Sequence, residues 1–221
     1  MTTLIQQTQR CSICGSESEY TCVASTNAFG SADLDARPPE MMRSTLYTEV
    51  QQCPSCGYCA SDVSKPRPDA ADVVSSGEYQ IQLIDPAFPN LANLFLCRAI
   101  IDQASGDYVA ATWALIKAAW ACDDSDRVGP AMACRTRAAD MLLRAEQHAL
   151  SISAEEGAGT AILVDLLRRS GRMEDARKAI AERRSGVVAE IIRHILDYQS
   201  VLVAYSDTAS HTIAEVLRFG E

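Results

Sequence analysis

The chain has 221 residues, nearly half of them apolar, with aromatics at only 6% and a formal net charge of −9. An acidic chain of this kind argues against phosphate-backbone binding driven by counterion release. No run approaches the ~18–20 apolar residues that span a bilayer, and the alanine- and leucine-rich mix suits packed helices more than a β-sandwich.

Residues 1–10 have no apolar core and no small-residue cleavage site, so no leader peptide is expected. The chain therefore reads as cytoplasmic, with reduced thiols. It carries nine cysteines, six of them before residue 65. Four stand as Cys11-Ser-Ile-Cys14-Gly15 and Cys53-Pro-Ser-Cys56-Gly57. Each pair offers two thiolates from one tight turn, and together they supply the ligand set of a tetrahedral zinc site. The glycine after each second cysteine suits the left-handed conformation such a turn requires. Pro54 presets the second turn.

Residues 19–24 and 45–53 alternate and are predicted as strands, the second leading into the second knuckle. The 38-residue spacer between the pairs exceeds the roughly 15–20 of common ribbons. Its excess is a loop, and loop closure costs little as length grows. Cys22 and Cys59 read as packing residues, with Cys59 close enough to Cys56 to make a second metal contact.

Within the loop, Asp33, Asp35, Arg37, Glu40 and Arg43 crowd around two prolines. One reading is a recognition loop in which Arg37 and Arg43 bind an anion or a partner's carboxylate. The other is local pairing that fixes an irregular loop against the ribbon.

Residues 62–72, with Pro66 and Pro68, read as a linker. Helices are predicted over 72–84, 91–104, 108–122, 129–150, 154–169, 173–184, 187–204 and 208–218. Ser105-Gly106-Asp107 and Ser170-Gly171-Arg172 are stop and restart signals. Each glycine is followed by a large apolar residue and then small ones, as in tetratricopeptide turns. The segment between them does not repeat the pattern, so an irregular array is expected rather than a regular solenoid.

The 108–122 helix is apolar nearly all round, which places Trp113 and Trp120 in a core. Cys97, Cys122 and Cys134 read as core residues too. Asp123 to Asp126 form a charged loop that is either exposed or paired with Arg127, Arg135 and Arg137. Residues 168–184 hold Arg168, Arg169, Arg172, Arg177, Lys178, Arg183 and Arg184, interleaved with acids, as on a solvated helix face. A docking site for an acidic partner is the alternative there.

A catalytic zinc keeps an open position and usually a nearby His or Glu. The histidines here are His148, His194 and His211, all in the helical half, and no HExxH pattern occurs. A redox CxxC would open a helix near a βαβ pattern, which is not visible.

The chain resembles a bacterial family, domain of unknown function 2225. The residues that carry the resemblance are Cys11-x-x-Cys14-Gly15, the Asn27-x-x-Gly30-Ser31-x-Asp33-Leu34-Asp35-x-Arg37-Pro38-Pro39 stretch, and Cys53-Pro-x-Cys56-Gly57-Tyr58. It is specific over 11–60 and only architectural over 90–220. It departs at Ser12, where a proline is commoner. The resemblance implies a zinc ribbon followed by a helical, tetratricopeptide-like region, with no established reaction.

The fold class expected is mainly α. A small four-cysteine zinc-ribbon lobe (1–65) precedes an irregular tetratricopeptide-like α-hairpin array (66–221). The function expected is a non-enzymatic adaptor, with structural zinc on Cys11, Cys14, Cys53 and Cys56 and a helical scaffold for a protein or peptide partner. The alternatives are a nucleic-acid-binding ribbon, or an enzyme of unknown reaction using the 30–43 loop.

Overall fold

The computed structural model describes residues 1–183 and 189–220. Two hairpins open the chain. Strand β1 (Thr3–Arg10) pairs antiparallel with β2 (Glu17–Ser25), and residues 11–16 form their turn. Strand β3 (Gln51–Gln52) pairs with β4 (Cys59–Ala60) around residues 53–58. Each cysteine knuckle is thus the turn of a hairpin.

The strand predicted over 45–53 is instead a 3-10 helix, Arg43–Glu49, leading into the short β3. Its threonines explain the difference. The Thr45 hydroxyl donates to Met42 O at 2.8 Å and that of Thr48 to Thr45 O at 2.7 Å, which bends the backbone inward. Leu46 is buried within this helix, and Val50, its extended C-cap, is buried at the entry to β3. The segment 62–72 is not a free linker. Val63 O accepts from Ser12 N, and Lys65 O accepts from the Ser12 and Tyr58 hydroxyls, so the strap touches both knuckles.

The rest is helical: α1 (Ala70–Ser75), α2 (Gly77–Leu83), α3 (Asn90–Ala104), α4 (Tyr108–Asp123), α5 (Val128–Gln147), α6 (Ala158–Arg169), α7 (Met173–Arg183), α8 (Glu190–Ala204) and α9 (Ile213–Phe219). The fold is a small ribbon lobe followed by an irregular α-hairpin array. The predicted 72–84 helix is split at Ser76, an extended residue whose hydroxyl accepts from Tyr79 N and so starts a new helix. Helix α6 begins four residues later than expected, after Gly157 at φ 83°. Residues 208–212 are not helical, and Thr212 bridges to Asp33 before capping α9. Residue 184 of the seventh predicted helix and 187–188 of the eighth lie outside the described residues.

Both Gly turns close alike. Gly106 N donates to Gln103 O and Asp107 N to Asp102 O; Gly171 N donates to Arg168 O and Arg172 N to Leu167 O. This pair of bonds satisfies the last carbonyls of α3 and α6 and needs a left-handed glycine, here at φ 77° and 82°. Helix α4 buries Ala111, Ala114, Leu115, Ile116, Ala118, Ala119 and Trp120. Its alanines let α3 and α5 approach closely on either side. The apolar core runs unbroken from Cys53 and Tyr58 in the lobe to Val216 on α9.

Candidate metal centre

The two knuckles are near-copies. Gly15 N donates to Cys11 O and Gly57 N to Cys53 O, both at 2.9 Å, with the glycines at φ 75° and 78°. Cys11 N is bonded to Ser16 O and Cys53 N to Tyr58 O. The first sulfur of each turn faces the next two N–H groups but one: those of Ile13 and Cys14 for Cys11, and of Ser55 and Cys56 for Cys53. The second faces the N–H two residues on, from Ser16 or Tyr58. Donors arranged in this way stabilise thiolate charge.

The knuckles face each other. Cys11 Sγ lies 3.7 Å from Cys56 Sγ, and Cys14 Sγ 3.6 Å from Cys53 Sγ. All four sulfurs lie within 4.8 Å of one another, so they can hold a metal ion. Zinc–thiolate bonds of about 2.3 Å place tetrahedral sulfurs about 3.8 Å apart, which is the spacing the pairs already have.

The four thiols are not equivalent. Burial pushes Cys11 and Cys56 up. Burial also acts to raise Cys53, but the Ser16 hydroxyl at 3.3 Å and the knuckle N–H groups outweigh it and bring it down to about 6. The same hydroxyl, 3.1 Å from Cys14 Sγ, holds that thiol low. Four sulfurs this close ionise together only around a cation. Ser16 is a polar partner of the site that the cysteine spacing did not reveal.

Tyr79 is a second. Its hydroxyl accepts from Cys59 N at 3.0 Å and donates to Gly57 O at 2.9 Å, clamping the second knuckle to α2. Cys22 lies on β2 and Cys59 beside Tyr79, both outside the four-sulfur cluster. Cys97, Cys122 and Cys134 are fully buried among the helices.

The 30–43 loop does not face the sulfurs. It reaches over the ends of the helices and is held there by ion pairs. Asp35, 1% exposed, accepts from Trp120 Nε1 at 2.9 Å and from Arg169 Nη1 at 2.8 Å. Arg37 forks onto Asp124 at 2.6 Å. Asp33 pairs with Arg43 at 2.7 Å and accepts from Ser210. Glu40 is exposed and accepts from Ser44. Backbone bonds tie the same loop to the C-terminal segment: Leu34 N to His211 O, and Ile213 N to Ala32 O.

This seam also uses charges that the sequence placed elsewhere. Arg168 and Arg169 are buried rather than on a solvated face. Arg168 pairs with Asp165 and Asp207, and Arg169 bridges Asp35 and Asp123. Asp123 also pairs with Arg135, whereas Arg127 and Arg137 turn to Ala87 O and Gln82. The helix end carries dense charge because buried carboxylates there require cations from neighbouring elements. Arg184 lies outside the described residues.

No protein-family model matches this chain, and neither a curated protein nor a solved structure is found to be similar to it. No described helix is long and apolar enough to cross a membrane.

Proposed function

We propose that the chain is a non-enzymatic adaptor of the domain of unknown function 2225 type. Structural zinc on Cys11, Cys14, Cys53 and Cys56 holds together a lobe, residues 1–65, and the helical scaffold that follows, residues 66–221, receives a protein or peptide partner. The observation that carries this reading is the donor set: four sulfurs, all within 4.8 Å of one another, can take all four positions of a tetrahedral zinc and so leave none for a substrate or an activated water. Zinc in that setting cross-links two hairpins and supplies no Lewis-acid step.

The partner surface follows from exposed apolar side chains. Ile81 and Ile84, three apart on and just after α2, are 70% and 79% exposed. Large apolar groups left in water mark interaction sites when they cluster. The 30–43 loop is read as a brace, since Asp33, Asp35 and Arg37 already have internal partners.

The test is metal analysis of the purified chain together with capture of partners by immobilised wild type and by the double variant Ile81→Asp/Ile84→Asp. About one zinc per chain, and a partner lost only from the double variant, supports the reading. A chain that binds no zinc, or that turns over a substrate and retains no partner, overturns it.

A further inference from the structure

The outer edge of β1 is open. Cys11 N donates to Ser16 O, and the register stays constant from Arg10↔Glu17 to Leu4↔Val23. Bonded pairs alternate along an antiparallel ladder. Odd-numbered Gln9, Gln7 and Ile5 therefore turn their N–H and C=O toward β2. Leu4, Gln6, Thr8 and Arg10 turn theirs outward. Among the described residues nothing bonds to those outward groups, and seven of the eight β1 residues are exposed.

Natural edge strands are guarded by proline, bulges, shortness or charge. This edge is eight residues long, has no proline, shifts register only at Thr3/Leu4 and holds one charge, Arg10. A two-stranded ribbon is also marginal without further strands or packing.

We propose that β1 pairs antiparallel with β1 of a second copy of this chain, joining two ribbons into one four-stranded sheet. Charge selects the occupant. The chain carries −9 overall, yet residues 1–16 contain no Asp or Glu, so two copies meet there without opposing carboxylates. Antiparallel pairing also separates the two Arg10 side chains, which parallel pairing would stack.

Symmetry selects the register. A two-fold normal to the sheet pairs residues of like parity. Centred on Gln7, it sets Leu4 against the partner's Arg10 and Gln6 against the partner's Thr8, so every outward residue is used. Gln7 then faces the partner's Gln7 as a non-bonded pair, with Cα atoms ~4.5 Å apart. That separation is within disulfide range, about 4.4–6.8 Å. One strand a side buries less than the roughly 1,200 Å² of a standard interface, so the dimer is concentration-dependent.

Sedimentation of the full chain over a concentration series, with three variants, tests this. Wild type is expected to shift from monomer to dimer with concentration. Gln7→Cys, mildly oxidised with glutathione disulfide, is expected to give a covalent dimer well beyond wild type and beyond Gln6→Cys. Gln6→Pro removes an outward N–H and the exposed side-chain bonds to Thr21 but no rung of the β1–β2 backbone ladder, so it is expected to stay monomeric while circular dichroism and metal content match wild type. A wild type that is monomeric throughout overturns the proposal. So does a Gln6→Pro chain that dimerises like wild type. Equal cross-linking of Gln6→Cys and Gln7→Cys overturns the register.

Discussion

Asp35 accepts the indole N–H of Trp120 at 2.9 Å and, with the same oxygen, a guanidinium N–H of Arg169 at 2.8 Å. One buried carboxylate thus joins the loop between the knuckles to α4 and α6. A carboxylate that far from water is tolerable only with such donors.

Asp35→Ala strands the indole N–H and leaves Arg169 with Asp123 alone, and removing one partner of a buried pair costs up to about 3–5 kcal/mol. The expected result is a stability loss of that order in urea unfolding, with a shift in tryptophan fluorescence. A loss below ~1 kcal/mol, the scale of an exposed pair, would show that the seam contributes little.

If the proposed zinc site holds, Cys53→Ser removes one of its ligands and is expected to drop bound zinc from about one per chain to near none, since a three-thiolate remainder holds the ion weakly. Cys22→Ser, outside the sulfur cluster, is expected to keep full zinc. Inductively coupled plasma mass spectrometry of both proteins decides between them.

Tyr79→Phe takes one hydroxyl from Cys59 N and Gly57 O. The Cys59 N–H is buried and loses its acceptor. A loss of about 1–3 kcal/mol is expected, along with faster zinc transfer to a chelator because the second knuckle is freed from α2. Chelator kinetics unchanged from wild type would place the clamp outside metal retention.

Asp123 sits below the usual carboxylate range. Burial acts to raise it, but the hydrogen bond and charge of Arg135, with Arg169 and Arg37, outweigh that. Its folded pKa is below the unfolded value of about 3.9. The stability it supplies is therefore complete above that value and is lost as pH falls through the folded one. The gap in unfolding free energy between wild type and Asp123→Asn is expected to be widest near neutrality and to close below about pH 4. A gap that widens on acidification would contradict this pairing.

The cysteine knuckles and the two Gly turns are local events, and local chemistry declares them. A CxxCG turn and a helix stop are each settled within six residues by backbone conformation, so spacing and residue type were sufficient. The hairpin strand β1 was hidden because Gln and Thr do not alternate in hydrophobicity. The 45–53 segment misled because Leu46 and Val50 fit a two-residue period, while the Thr45 and Thr48 hydroxyls bond to backbone carbonyls three residues back and favour a 3-10 turn.

The sequence by itself determined where four thiolates could converge, which segments are helical and that the chain is mainly α. Only the tertiary structure decided what the charges do. Asp35 and Arg169 are 134 positions apart, and no periodicity links them. A salt bridge depends on distance in space, and at low exposure each carboxylate must find whichever cation the packing delivers. For that reason the 30–43 loop, read from its residues as either a recognition element or a locally paired one, proved to be anchored by Trp120 of α4, by Asp124 just after that helix and by Arg169 of α6.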